Sequence, residues 1–269
     1  MADARLELVD VDRVGCQLAI AVLDRPRVAN AFTVAMVEEL HAILDDVIAN
    51  DNVRVFILTG AERHFSAGGD LREGRPDPTD YLDRVRSLFD RVSELRQPTI
   101  AAINGAAAGG GCEIALACDL RIIDERATIG LPEVRFGSVA YAGGTQRMPR
   151  LIGPAKALEL HLIGDLISAQ EAVAIGLVNR VAPAGTALEQ AIDLAKLIAS
   201  RPRLAVETAT HLIRQSTNLS MADGLALEAE LATELEARLR EQLSEAAGRD
   251  PVYERILGRP SAVEPDTQA

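Results

Sequence analysis

Two glutamates in this 269-residue chain stand where they could move protons, each close to backbone amides that could hold negative charge. Glu113 ends the run Asn104-Gly105-Ala106-Ala107-Ala108-Gly109-Gly110-Gly111-Cys112-Glu113, in which glycines leave amides bare just ahead of an apolar helical segment. A helix that starts near Gly110 directs free N–H groups and the positive end of its dipole at any carbonyl placed there. A second bare turn, Phe65-Ser66-Ala67-Gly68-Gly69-Asp70, follows the apolar run Val53 to Leu58, as expected where a strand leaves a sheet and its next amide points outward. Glu133 follows Pro132 further on. Two amides to hold an oxyanion and two carboxyls to take and give protons suit enolate chemistry.

Each signal has an ordinary reading when taken alone. Gly109, Gly110 and Gly111 could let a helix pack closely on a strand. An acid in a first helical turn stabilises any helix, and Glu133 could be a surface residue of a Pro-Glu turn. The glycine run lacks the Lys-Ser/Thr ending of a phosphate loop, and no strand-turn-helix fingerprint with a distant acid marks a dinucleotide site. Ser66 lies beside His64 but has no glycine-flanked elbow around it, which argues against a serine nucleophile. His41, His64, His161 and His211 are scattered without ligand spacing, so they read as surface or helix-packing residues and no metal is expected.

The elements that must hold these residues can be read from apolar periodicity. Leu6 to Val11, Val14 to Leu23, Val53 to Thr59 and Thr99 to Ile103 read as short strands rich in branched residues. Thr33 is placed to cap a helix whose inner face is Met36, Val37, Leu40, Leu44, Val47 and Ile48. A second helix carries Tyr81, Leu82, Val85, Leu88, Phe89, Val92 and Leu95 and stops before Pro98. Strands alternating with helices predict an α/β core. Beyond about Leu151, glycines and prolines punctuate a run of helices with hardly any strand signal. Met221 to Ala247 reads as one long acidic helix with a leucine stripe, fit to pack on the core or on a neighbouring subunit. The division expected is a core over residues 1–200 and a helical segment over 201–269, with a frayed tail after Pro260.

Composition narrows the function classes. Hydrophobic residues make up 48% of the chain, while aromatics are 3% and tryptophan is absent. Such a chain builds an aliphatic core and lacks the stacking platforms of nucleic-acid and sugar sites. A net charge of -12 repels nucleic acid and anionic membranes, so an anionic ligand would need local arginines and amides. The longest uncharged stretch, Gln97 to Cys112, is shorter than a bilayer span. Cys16, Cys112 and Cys118 have no metal spacing, and no secretory segment opens the chain, so reduced thiols and a cytoplasmic location are expected.

The motifs resemble those of the enoyl-CoA hydratase/isomerase (crotonase) superfamily across roughly residues 5 to 215. The resemblance rests on Arg25-Pro26 with Asn30-Ala31, His64-Phe65-Ser66-Ala67-Gly68-Gly69-Asp70-Leu71, and Asn104-Gly105 with Gly109-Gly110-Gly111-Cys112-Glu113. It continues through Cys118-Asp119-Leu120-Arg121, Pro132-Glu133 and Ala142-Gly143-Gly144-Thr145-Gln146-Arg147. It implies a spiral of ββα repeats followed by a helical trimerisation segment, in a trimer or a hexamer of stacked trimers. The N–H groups of Gly69 and Gly110 would form the oxyanion hole for a thioester. Glu113 would orient and deprotonate water, and Glu133 would protonate C2. Arg25, Arg27, Ala29, Ala67, Gly68 and Leu71 would contact coenzyme A, which is part of the substrate and not a cofactor.

The implied reaction is syn hydration of a 2-enoyl-CoA. Double-bond isomerisation or a specialised dehydration is the alternative, and a non-catalytic acyl-CoA binder is the alternative of another class. Two departures stand out. Tyr141 occupies a place where the family commonly has glycine, and Arg249-Asp250-Pro251-Val252-Tyr253-Glu254-Arg255 replaces the usual Phe- and Lys-rich ending.

Overall fold

The computed structural model describes residues 2–11, 15–70, 72 and 78–245. Val14, Leu71, residues 73–77, Ala247, the stretch 249–255 and the tail after Pro260 lie outside the described residues.

The chain opens with an antiparallel pair, β1 (Ala4–Val11) and β2 (Cys16–Leu23), followed by α1 (Val34–Ala49) and β3 (Val53–Gly60). Then come α2 (Pro78–Glu94), β4 (Thr99–Ile103), the two-residue β5 (Ala107–Ala108), α3 (Gly110–Ala117), β6 (Leu120–Asp124) and β7 (Thr128–Gly130). After a 3-10 turn at Glu133–Phe136 follow α4 (Gly144–Ile152), α5 (Pro154–Ile163), β8 (Ile167–Ser168), α6 (Ala169–Ala174) and β9 (Arg180–Ala182). The last elements are α7 (Ala187–Ala199), α8 (Arg203–Gln215) and α9 (Met221–Glu245).

The main sheet runs β1-β2-β3-β4-β6-β9, parallel from β2 onward, and a small second sheet runs β5-β7-β8. The period-two alternation of strands explains its two buried faces. In β2, Ala19, Ala21 and Leu23 join one core while Leu18, Ile20 and Val22 join the other; β4 divides in the same way between Ala101 with Ile103 and Ile100 with Ala102. The first core is covered by α1, α2 and α3. The second is covered by α7, which meets the sheet through Ala187, Ala191, Ala195 and Ala199, spaced four apart on one helical face. With only methyl groups on that face, the helix can approach the strands closely.

The expected early elements are present. Thr33 Oγ1 accepts from the Met36 amide at 3.0 Å and so caps α1, and α2 stops before Pro98. One assignment needs correction: Ile48 is exposed, and Ile43 takes the inner position instead, because residue 48 falls at the rim of the face centred on Met36, Leu40 and Val47. The late strands β8 and β9 are two and three residues long. Their pairing comes from distant partners, Thr128 and Ile129 for β8 and Ile122 to Asp124 for β9.

The chain divides into two compact units, Met1–Thr217 and Asn218–Ala269. Within the second, α9 leaves Leu225 exposed and Leu227, Leu231, Leu235 and Leu239 half-buried. Among the described residues, no helix is long and apolar enough to cross a membrane.

Candidate active site

The turn after β3 is pinned from two sides. Ser66 pairs with Ala107: the Ser66 amide donates to the Ala106 carbonyl at 3.1 Å, and the Ala108 amide donates to the Ser66 carbonyl at 2.9 Å. Gly69 pairs in the same parallel manner with Phe32, whose amide donates to Gly68 O at 2.8 Å and whose carbonyl accepts from the Asp70 amide at 2.9 Å. In a parallel ladder the residue between two such bonds turns its own amide the other way. The Gly69 N–H therefore faces away from Phe32, and among the described residues it has no acceptor. The Gly110 amide, in the first turn of α3, is likewise without one.

These two loops touch. A Cβ on Gly68 would lie 2.9 Å from the Gly110 nitrogen and 2.9 Å from the Ala108 carbonyl oxygen, and Gly68 has φ of +85°. Only glycine fits there. Ser66 does scaffold work: its hydroxyl donates to Asn30 O at 2.8 Å and accepts from the Gly68 amide at 3.1 Å. Asn30, fully buried, accepts from the Arg25 amide at 2.9 Å and donates to the carbonyls of Ala61 and His64. It joins the Arg25 turn to the segment leaving β3.

Glu113 lies in the first turn of α3 and is 4% exposed. Its Oε1 accepts from the Gly144 amide at 2.9 Å, at the start of α4. Burial pushes its carboxyl up to about 7; the Gly144 and Ala142 amides pull it down, and the negative charge of Glu133 pushes it further up. Glu133 opens the 3-10 turn, and burial raises its carboxyl as well. Its Oε1 lies 3.1 Å from where a Cβ on Gly109 would stand, so the acid sits against the residue preceding Gly110. Its Oε2 is buried without a hydrogen-bond partner. Two protonatable carboxyls thus flank the α3 N-terminus, where the free Gly110 amide is.

Cys112, the residue just before Glu113, is fully buried, and burial with the two glutamate charges drives its thiol well above the usual range. It is inert as a nucleophile.

The expected coenzyme A residues divide. Arg27 and Ala67 are exposed. The Ala67 amide donates to Ala29 O at 2.9 Å, leaving the Ala67 carbonyl unpartnered among the described residues. Arg25 is spent within the chain: its guanidinium donates to Ala31 O at 2.8 Å and to Asp70 Oδ2 at 3.1 Å, with Asp3 at 3.4 Å. Asp70, also held by the Arg72 amide, is kept below the ordinary carboxylate range by that bond and by Arg25. Tyr141 is exposed, with its hydroxyl 3.4 Å from Asp83 Oδ1 on α2.

Two residues given no role in the sequence reading belong to this region. Gly144 follows Gly143 just ahead of a helix, the same bare-amide signal as Gly109 to Gly111. Arg147 donates to Ala142 O at 2.8 Å and to Asp90 at 2.7 Å, which ties the turn before α4 to α2.

Residues 16–255 match the family described as Enoyl-CoA hydratase/isomerase. The chain is 43% identical to YngF of Bacillus subtilis (strain 168) over 216 residues, covering 78% of this chain and 83% of that protein. It is 38% identical to the 2,3-dehydroadipyl-CoA hydratase of Escherichia coli (strain K12) over 223 residues, covering 82% and 88%. The crystal structure of an enoyl-CoA hydratase from Bacillus anthracis superposes with a TM-score of 0.83 at 37% identity, covering 91% of this chain and 96% of that one.

Proposed function

Because the chain belongs to the enoyl-CoA hydratase/isomerase (crotonase) superfamily, we propose that it is an enoyl-CoA hydratase, adding water reversibly and syn across a 2-enoyl-CoA to give a 3-hydroxyacyl-CoA. The observation that carries this reading is the pair of raised carboxyls, Glu113 and Glu133, beside the unpartnered amide of Gly110. The thioester oxygen is held by the N–H groups of Gly69 and Gly110. Glu113 takes a proton from water, whose oxygen bonds to C3. The π electrons move toward the thioester as an enolate, which collapses by taking the Glu133 proton at C2.

The amides stabilise the enolate oxygen more than the ground-state carbonyl, which is what lowers the barrier. Burial matters equally. A carboxyl poised near neutrality can serve as base in one direction and acid in the other without a large driving-force penalty.

Coenzyme A lies along Arg27, Ala29, Ala67 and Gly68, the free Ala67 carbonyl accepting from the adenine amino group. Arg25 acts by holding Asp70 and the loop. Tyr141 forms part of the acyl wall. We extend the proposal to a homotrimer or hexamer, supported by family membership and by Phe136, Val139 and Leu162, which a single chain leaves exposed. Three buried free thiols fit a reducing compartment such as the cytoplasm.

The test is loss of the enoyl-thioester ultraviolet absorbance on crotonyl-, octenoyl- and cinnamoyl-type CoA substrates, with product mass. A gain of one water supports hydration. Migration of the double bond from a 3-enoyl-CoA without water gain replaces it with isomerisation, and acyl-CoA binding without turnover replaces it with a binding role.

A further inference from the structure

The Gly69 and Gly110 amides and the turn that holds Glu113 come from separate segments, yet all of them are tied to α2. Phe89 and Asp90, neighbours on that helix, reach the two halves of the site. Phe89 packs edge-on against Phe32 with ring centroids 5.8 Å apart. A Cβ on Gly110 would lie 3.5 Å from the Phe32 ring, and the Phe32 backbone pairs with Gly69. Asp90 instead accepts from Arg147 Nη2 at 2.7 Å. Two turns earlier on α2, Asp83 takes the Tyr141 hydroxyl at 3.4 Å, so the helix meets the turn before α4 twice.

Arg147 is the residue that fixes that turn. Its amide donates to Gly143 O at 2.7 Å, and its side chain folds back so that Nη1 donates to Ala142 O at 2.8 Å. The guanidinium occupies the space where a Cβ on Gly143 would stand, and Gly143 has φ of +109°, so the turn and the guanidinium fit together only with glycine. The turn carries the amides of Ala142 and Gly144, both of which donate toward the Glu113 carboxyl, Gly144 at 2.9 Å. Gly144 begins α4, so its N–H has no acceptor within the helix and Glu113 takes it.

We propose that Arg147, anchored on Asp90, is a positioning residue for Glu113: it holds the turn at residues 142–144 where its amides aim the carboxyl, in register with amides fixed through the same helix. A guanidinium suits this task, since one arm takes a main-chain carbonyl and the other a carboxylate in a rigid fork. A lysine would keep the positive charge but not the fork. Asp90 is half-exposed, so the ion pair contributes little to stability, and its loss shows in the geometry of the site rather than in the fold.

The effect on rate rests on Glu113 being the base of the proposed hydration, whereas the clamp itself does not. The test compares the wild type with Arg147→Lys by steady-state kinetics on a 2-enoyl-CoA and by residue-resolved amide hydrogen exchange. Asp90→Ala, at a half-exposed position, removes the anchor from the other side and should act in the same direction. We expect Arg147→Lys to lose about 10- to 100-fold in kcat, with KM for the acyl-CoA within about twofold of the wild type. Exchange at the Gly144 amide should quicken by about tenfold while the amides of β4 keep their protection. An unchanged kcat, or a lower one with Gly144 exchange unmoved, overturns the proposal. Equal loss of protection in β4 also overturns it and leaves Arg147 a residue of the fold alone. A wild-type protein inactive on every enoyl-CoA overturns the hydratase reading, and the Gly144 exchange then still decides the clamp.

Discussion

The Gly144 amide donates to Glu113 Oε1 at 2.9 Å, so a carboxyl from the first turn of α3 is held by the first turn of α4. Oriented this way, Glu113 is expected to act as the base toward water. Glu113→Gln keeps the size and an oxygen for Gly144 but removes the base. Hydration should fall by about 10²- to 10⁴-fold with acyl-CoA affinity largely kept, and Glu133→Gln should behave alike. Near-wild-type turnover in either variant takes that residue out of the mechanism.

The same buried carboxyl makes folding stability depend on pH. Its pKa rises from an ordinary 4.5 to about 7 in the folded chain, so the folded state holds this proton more tightly than the unfolded state. The resulting stabilisation is complete below about 4.5 and is lost as pH rises through about 7. Denaturant melts between these limits should show the wild type losing stability relative to Glu113→Gln as pH rises. Parallel pH dependences would show that Glu113 does not keep its proton in the fold.

A backbone donor can be removed only by proline, and Gly110 is the better place to try it. Its Cβ would find 3.4 Å to Gly68 and 3.5 Å to Phe32, and proline is accepted in a first helical turn. Gly110→Ala adds the carbon but keeps the N–H. If that N–H stabilises the enolate, Gly110→Pro should lose about 10²- to 10³-fold in kcat relative to Gly110→Ala. Equal rates would place the oxyanion elsewhere.

On the far face of the sheet, the alanine seam of α7 sets how closely that helix approaches. Ala191→Leu inserts bulk at a position with no exposure and should cost about 1 to 3 kcal/mol, measured by denaturant unfolding. Leu197→Ala, on the exposed side of the same helix, should change stability by less than about 0.5 kcal/mol. A neutral Ala191→Leu would mean that the seam has slack.

What the sequence made legible was what is local. The cap at Thr33, the inner stripe of α2 and the strand Thr99–Ile103 each carry their own periodicity, and the glycine runs advertise bare amides wherever they fall. β8 and β9 are too short to have a period and exist only because distant strands pair with them. The capture of Arg25 by Asp70 was invisible for a related reason, since a turn arginine looks the same whether it meets solvent or a loop from across the fold.

The most direct test of the central claim is to incubate the enzyme with a 2-enoyl-CoA in D2O and locate the incorporated atoms by NMR and mass spectrometry. Hydration through Glu113 and Glu133 predicts a 3-hydroxyacyl-CoA with one solvent oxygen at C3 and one deuterium at C2, both on the same face. Deuterium at C4 with no hydroxyl, or recovery of unlabelled substrate, would contradict it.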